Sequence, residues 1–271
     1  MKSIGATRTK IHKIIITSLL CCLFLTATFS PSCAGDLFIF NKIGVMDWNE
    51  TDHSGKQYMR ETGPTAELGI GYRDAAYGIE IAPAASIWGA VLDFEGSHAD
   101  TDTPWRTTTS SAGIKGVLDF AVPVHFSDNL SIAPTAGAGI NYFSRTIGNE
   151  TWVSLTAKAG LRVSYKKFSA SVGTMHPFYT TNKVNWRDIG MECSLTLKPK
   201  GQFSPYSELS YRIGKFEIGA YFEQLKWLAS APVTYKNFNS NKSGVVMEKN
   251  GFLYQPETIV NKGGLSISYL F

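Results

Sequence analysis

Cysteine is scarce in this sequence, and its distribution leaves no internal disulfide over most of the chain. The 271 residues include four cysteines. Cys21, Cys22 and Cys33 lie within the first 34 residues, and Cys193 stands alone beyond them. A disulfide scaffold needs paired cysteines, and the sequence has no CxxC motif. It therefore gives little support to a disulfide-rich fold, a zinc site or redox chemistry, and we expect no cofactor and no bound metal.

Long apolar runs and excess charge are also missing after residue 34. A transmembrane helix needs about 20 consecutive apolar residues, and no such run follows that point. The chain has 26 Lys and Arg against 22 Asp and Glu. The first 34 residues contain four basic side chains, Lys2, Arg8, Lys10 and Lys13, and no Asp or Glu. The remainder is close to neutral, so the composition predicts no nucleic-acid partner.

The first 34 residues have the pattern of an export signal. A basic start is followed by an apolar run over 14–29 and by Ser32-Cys33-Ala34, whose small residues suit a cleavage site. We expect cleavage after Ala34, which leaves residues 35–271 as a single domain. A retained membrane anchor is the main alternative, but the run is short for it. Lipid attachment at Cys33 is a weaker one, because Ser30-Pro31-Ser32 is a poor approach.

The strongest signal in the rest of the chain is alternation with a period of two. Between Trp152 and Tyr165 the apolar residues hold the odd positions, and the even positions include Ser154, Lys158 and Arg162. A strand separates such residues onto two faces, whereas a helix would mix them. Charged and small residues sit at the strand centres on the polar face, which favours a membrane barrel over a soluble sandwich. The pattern recurs around 66–72, 77–87, 114–126, 130–142, 191–197 and 216–223.

Short aromatic-flanked turns and longer polar connections alternate along the chain. The turns predicted to face the periplasm lie at 73–76, 127–129, 166–167 and 212–215, and the outer connections at 49–62, 93–106, 144–150, 180–188 and 228–257. Four such turns predict an all-β, transmembrane, antiparallel up-and-down barrel of ten strands. A turn at Lys198-Pro199-Lys200 would raise the count to twelve. One long strand that is irregular near Pro199 keeps ten, and eight is the third alternative.

The last residues alternate and end on an aromatic. Leu265, Ile267, Tyr269 and Phe271 share one face, and Ser266 and Ser268 share the other. This end resembles the terminal strand of bacterial outer-membrane β-barrel proteins, including small porin-like barrels. The resemblance implies that the four apolar residues form an assembly signal. It also implies the Gram-negative outer membrane as the location, with membrane lipid, lipopolysaccharide, periplasmic chaperones and the barrel-assembly machinery as partners.

The polar face predicts a lumen lined by charges of both signs. We expect a small passive diffusion channel, porin-like, that transports ions or small polar solutes and whose selectivity these charges set. A plugged structural barrel, or one that binds a partner at the cell surface as an adhesin or receptor, is the alternative. The candidate lumen residues are Glu67, Glu80, Lys115, Asp119, Lys158, Arg162, Glu192, Glu208, Arg212, Glu217 and Glu223.

Enzymatic and metal-binding hypotheses have weaker support. A lipid-modifying or proteolytic barrel would need a nucleophile and a base in contact, but the consecutive residues Asp52-His53-Ser54 suit a polar turn better. His98, Asp100 and Asp102 could align for a cation, although acidic residues in outer loops are usually just solvated. We therefore expect no enzymatic activity.

Three further side chains are assigned by their strand phase or composition. His176 and Cys193 follow lipid-facing positions, and Cys193 shares its phase with Leu195 and Leu197. The connection 228–257 carries aromatic residues among polar ones, which suits either surface recognition or an outer aromatic girdle. With the adjoining Trp227, these are Tyr235, Phe238, Phe252 and Tyr254.

Overall fold

The folded chain consists almost entirely of strands. A computed structural model describes residues 35–52, 54–97, 104–185, 194–240 and 246–271. No helix among these residues is long and apolar enough to cross a membrane. The strands are β1 (Asp36–Thr51), β2 (Gln57–Ala76), β3 (Ile79–Ser97), β4 (Pro104–Ala121), β5 (Val124–Ser127), β6 (Leu130–Arg145), β7 (Glu150–Tyr165), β8 (Phe168–Asn185), β9 (Ser194–Leu197), β10 (Lys200–Gln202), β11 (Ser204–Ile213), β12 (Phe216–Leu228), β13 (Val233–Ser240), β14 (Val246–Leu253) and β15 (Glu257–Leu270).

Ten strand positions close into one antiparallel barrel. The hydrogen-bonded order is β1, β2, β3, β4, β6, β7, β8, β11, β12 and β15, and β15 pairs with both β12 and β1. β5 continues the position of β4, because both pair with β6. β9 and β10 continue the position of β11 between β8 and β12. The predicted count of ten is confirmed, and twelve and eight strands are wrong.

Four two-residue turns meet at one end of the barrel. They are Tyr77-Gly78, Asp128-Asn129, Lys166-Lys167 and Gly214-Lys215. Three of these turns lie where the sequence predicts, whereas β2 continues through the predicted turn 73–76 and the first turn lies at 77–78. Backbone hydrogen bonds join these turns to one another and to the last strand: Lys166 N–H donates to the Asn129 carbonyl, and Leu270 N–H of β15 donates to the Lys215 carbonyl. Phe271 N–H donates to the Leu37 carbonyl at 2.9 Å. The first and last strands of the barrel therefore also meet at this end.

The connections at the opposite end are shorter than predicted. β1 runs to Thr51 and β2 begins at Gln57, so most of the expected connection 49–62 is strand. β3 and β4 likewise take up much of 93–106. The expected loop 228–257 contains the β13–β14 hairpin. The predicted loops were placed by their polar composition. Strands that continue past the membrane are also rich in polar residues, so composition alone does not distinguish them from loops.

A β-bulge in β8 reverses which of its residues point inward. The register between β7 and β8 shifts between Leu155 and Thr156, where Leu155 pairs with Tyr179 and Thr156 pairs with Pro177. Phe178 is the extra residue, and both Phe178 and Tyr179 are exposed. The residues of β8 that point inward therefore have odd numbers before the bulge and even numbers after it.

A matching reversal lies between β10 and β11. Leu195 and Leu197 pair with Val184 and Asn182, which face the interior above the bulge, and Leu197 is buried. The prediction that these leucines face lipid is wrong, because the phase changes near Phe203. That side chain is exposed outside the barrel. Pro199 lies in the irregular stretch that the sequence anticipates.

The exterior carries a continuous band of exposed apolar side chains, as expected for a barrel that faces lipid. Leu265, Ile267 and Phe271 of the terminal strand are exposed, whereas Ser266 and Ser268 line the interior. The predicted faces of this strand are confirmed. Other members of the band are Ile43, Leu68, Ile87, Leu161, Val172, Leu209 and Ile218.

The seam between β1 and β15 depends on a pair of glycines that face each other inside the barrel. Gly44 and Gly264 are register partners. A Cβ on Gly264 would meet the backbone of Ile43 at less than a van der Waals distance, whereas a Cβ on Gly263 would have its nearest neighbour, the Tyr221 carbonyl, at 3.4 Å. The close backbone approach at the seam therefore requires glycine at 264 and not at 263.

We expect Gly264→Val to destabilise the closed barrel by about 1–3 kcal/mol, the usual cost of overpacking. Gly263→Val adds the same atoms on the outward side and serves as the matched control. The measurement is heat-modifiable migration on gels over a temperature series. Equal transition temperatures for the two variants would contradict the assignment.

Candidate functional site in the barrel interior

The interior has two parts of different chemistry. Near the two-residue turns lies a polar space, which we call the inner cavity, of about 440 Å³. Towards the opposite end the interior is filled by aromatic and apolar side chains together with a buried ion-pair network, which we call the outer plug. It comprises Trp48, Trp88, Trp152, Trp227, Phe143, Met46, Met59, Leu92 and Phe94 with Arg145, Glu50, Glu61 and Glu150.

Most of the predicted lumen charges line the inner cavity. Strand alternation places them there, since each lies on the inward phase of its strand. The residues that line it are Glu67, Glu80, Lys115, Asp119, Lys158, Arg162, Glu208, Glu217 and Glu223. Arg212 instead lies at the rim, partly exposed, where it pairs with Asp36 at 3.2 Å. Glu192 lies outside the described residues.

These charges form ion pairs that connect distant strands. Lys158 of β7 contacts Asp119 of β4 at 2.7 Å, and Arg162 of β7 pairs with Glu80 of β3. Lys115 of β4 reaches Glu223 of β12 at 3.0 Å. Low-dielectric surroundings favour such pairing over isolated charges. The network therefore holds the barrel walls together around a cavity with both signs of charge.

Sequence reasoning missed two lysines of the interior. Lys42 of β1 lies 3.8 Å from Glu208, and Lys262 of β15 lies 3.7 Å from the centre of the Trp88 ring. Lys42 shares the inward face of β1 with Phe38 and Phe40, whose aromatic rings also line the cavity. Because this inward face mixes aromatic residues with a cation, polarity alone does not distinguish it from the outward face. Counting every second residue from Lys42 would have identified the inward face.

The outer plug is built around a cluster of indole rings. Trp48, Trp152 and Trp227 come from β1, β7 and β12 and are each no more than 1% exposed. The ring centres of Trp48 and Trp152 lie 5.4 Å apart in an edge arrangement, and Trp152 and Trp227 lie 5.6 Å apart. Phe143 stacks on Trp152 at 5.8 Å. Trp227, expected beside a loop or in an outer girdle, is therefore inside the barrel.

Arg145 holds three carboxylates within the plug. Its guanidinium contacts Glu61 at 2.7 Å, Glu150 at 2.9 Å and Glu50 at 3.3 Å. The same group lies 3.9 Å above the Trp48 ring, a cation–π contact. Its side chain is 1% exposed. A single buried cation is thus shared by three acids, each of which would be unfavourable here without a partner.

Hydrogen bonds from the plug complete the surroundings of these carboxylates. The Trp48 indole donates to Glu50 at 2.8 Å, and the Trp152 indole donates to Glu150 at the same distance. The Thr109 hydroxyl donates to Glu61 at 2.6 Å. Each tryptophan sits two residues from the carboxylate it contacts, on one strand face. That spacing is present in the sequence, but Glu50 and Glu150 fall within the predicted outer connections 49–62 and 144–150, whereas Trp48 and Trp152 do not.

Most of the enzymatic and metal candidates lie outside the described residues. Asp52 accepts hydrogen bonds from the Ser54 hydroxyl, the Ser54 N–H and the Lys56 N–H, an ordinary polar turn. The Ser54 hydroxyl holds the pKa of Asp52 below its usual value. His53, and also His98, Asp100, Asp102 and Cys193, lie outside the described residues. In the part of the chain that the structure describes, no His, Cys, Asp and Glu residues cluster to hold a metal.

We expect Arg145→Met to lower the free energy of unfolding by about 3–5 kcal/mol, because three buried carboxylates lose their cation. Arg60→Met is the control: Arg60 pairs with Asp47 at 2.7 Å but is half exposed, and its loss should change stability by less than about 1 kcal/mol. Urea unfolding in detergent, followed by tryptophan fluorescence, measures both. Adding Glu61→Gln to Arg145→Met should recover part of the loss, and a further loss would argue against the charge balance.

Comparisons with known proteins place the chain only by its architecture. No family model and no curated protein matches the sequence. Several solved structures are similar in shape. The outer membrane protease OmpT from Escherichia coli is 10% identical, with 90% of this chain and 99% of that chain covered and a TM-score of 0.47. A major outer membrane protein from Thermus thermophilus is 12% identical, with 86% and 99% covered and a TM-score of 0.36. The translocator domain of the autotransporter NalP from Neisseria meningitidis is 12% identical, with 98% of each chain covered and a TM-score of 0.37. At these TM-scores the likeness carries no argument about activity.

Proposed function

We propose that this protein is a plugged barrel of the bacterial outer membrane, whose rigid outer half supports a surface for recognition outside the cell. The observation that carries the proposal is the burial of Trp48, Trp152 and Trp227 across the interior. A solute moving along the axis would have to displace these rings. The proposal keeps membrane lipid and the barrel-assembly machinery as partners and includes no catalytic step.

An open state of the plug should be rarely populated. Fully burying one large apolar side chain is worth about 1.5–3 kcal/mol, and the plug contains three tryptophans with several apolar neighbours. An opening that exposes all three would also separate Arg145 from its carboxylates. Since a few kcal/mol already reduces a state to well under about 1% of the population, the plugged state should dominate.

The length of the strands supports the recognition part of the proposal. β2 has 20 residues and β3 has 19, but a strand needs about 9–11 to cross a membrane. The barrel wall therefore continues well past the hydrocarbon layer at the end opposite the turns. The plug fills this extension, so that the β13–β14 hairpin and the exposed side chains of Tyr58, Trp105 and Phe252 stand on a rigid base. Exposed aromatics among polar residues suit recognition.

A porin-like channel is the second candidate, and the inner cavity favours it. The cavity is polar, reaches the end that carries the turns, and contains paired charges such as Lys158–Asp119. Transport would require the outer plug to rearrange during passage. If the wild-type protein conducts, Lys158→Ala or Arg162→Ala should shift its ion selectivity towards cations, because each substitution removes a positive charge from the pathway.

The deciding experiment is conductance in planar bilayers. We expect the wild-type protein to give no steady ohmic current, because the buried rings of the plug fill the interior. The triple substitution Trp48→Ala, Trp152→Ala and Trp227→Ala should open a continuous water path and give measurable current. Phe168→Ala, Phe216→Ala and Phe222→Ala together remove three rings from the outward face and should stay silent.

Assembly of each variant is verified first by heat-modifiable migration on gels. Steady ohmic conductance of the wild-type protein would overturn the plugged barrel and favour the channel. Silence of the assembled triple tryptophan variant would show that other side chains close the interior.

A further inference from the structure

Four lysines lie near the outer end of one wall, on the surface that points away from the interior. Lys183 is on β8, Lys198 and Lys200 are at β9–β10, and Lys226 is on β12. We call them the lysine patch. Lys183 stands between the buried residues Asn182 and Val184, Lys198 and Lys200 alternate with buried ones, and Lys226 precedes buried Trp227. Strand alternation therefore directs all four outward.

The strand register brings the four lysines together. Lys183 pairs with Thr196, two residues from Lys198. Lys200 pairs with Leu228, two residues from Lys226. Neighbouring strands are about 4.8 Å apart, and two residues along a strand span about 7 Å. Successive members of the patch therefore lie within roughly 10 Å of each other, close enough for one anionic group to contact two of them.

Exposed aromatic side chains lie directly below the patch. Phe203 is 73% exposed, and its ring stacks on His176 at 4.6 Å. Phe178 and Tyr179, which the bulge in β8 turns outward together, are also exposed. Aromatic side chains on a membrane barrel mark the boundary between hydrocarbon and headgroups. The lysine patch thus lies at the level of the headgroups of the outer leaflet.

Three of the four charges of the patch are available, unlike those of Arg60 and Arg106 on the wall formed by β1–β4. Among the described residues, Lys183, Lys198 and Lys200 form no ion pair, and Lys226 contacts Glu257 at 2.9 Å. On the other wall Arg60 pairs with Asp47 and Arg106 pairs with Glu95. Lys183, Lys198 and Lys200 therefore form a group of neighbouring outward cations without an acidic partner within the described ranges of the chain.

We propose that the lysine patch binds the phosphate groups of a phosphorylated glycolipid of the outer leaflet, such as the lipid A part of lipopolysaccharide. The lysines supply point charges for the phosphates, and Phe178 and Phe203 pack against the first carbons of the acyl chains. The inference rests on the proposed outer-membrane location and is independent of whether the barrel conducts.

The test titrates the detergent-solubilised full-length protein with bisphosphorylated lipid A and counts bound lipids by native mass spectrometry. The variant carries Lys183→Gln, Lys198→Gln and Lys200→Gln. Because each lysine near an anionic lipid surface contributes about a fivefold change in affinity, we expect at least about tenfold weaker binding for the three together. Dephosphorylated lipid A should bind the wild-type protein and the variant equally weakly, and inorganic phosphate should not displace the lipid.

The matched control removes three exposed lysines at the opposite end of the barrel: Lys166→Gln, Lys167→Gln and Lys215→Gln. It has the same net charge as the first variant and should bind like the wild-type protein. Equal binding of bisphosphorylated lipid A by the two triple variants would overturn the proposal. The proposal would also fail if the wild-type protein bound dephosphorylated lipid A as tightly as the bisphosphorylated form. Neither result would alter the conductance expected of the plugged barrel.

Discussion

A backbone that crosses a bilayer has to satisfy every N–H and C=O group within the protein, and the structure follows from this requirement. Closure between β1 and β15 removes the last free edge. The close approach of Gly44 and Gly264 at this seam is one result. A closed barrel of ten strands also encloses an interior space. Side chains must fill that space, or water must occupy it.

The two halves of the interior meet this demand in different ways. Near the turns, ion pairs such as Lys115–Glu223 connect opposite walls and leave polar space. At the other end, indole rings fill the interior, and Arg145 pairs with the carboxylates that project among them. The indole N–H groups of Trp48 and Trp152 contribute to both tasks, because each ring fills volume while its donor satisfies a buried acid. The aromatic and ionic parts of the plug are therefore one unit.

The sequence predicts the barrel well and its interior only in part. A period of two is a local property, so it correctly identified three of the four turns, the count of ten strands and the faces of the terminal strand. It failed where one inserted residue changes the phase: the bulge at Phe178 and the break near Phe203 reversed the positions of Leu195 and Leu197. The Arg145 network was missed for another reason. Its carboxylates lie up to 95 residues away in sequence, and no local pattern records such contacts.

The ladder between β1 and β15 has a consequence for how the protein is assembled. It joins the first and last strands of the barrel, with Phe38 paired to Leu270, so it has the largest sequence separation of any pairing in the fold. Contacts of this kind form late and slowly. Until they form, a partly folded chain presents two unpaired edges and a band of apolar side chains, both of which promote aggregation. The time for which that sheet stays open, more than the stability of the finished barrel, should therefore set how readily the folding chain aggregates.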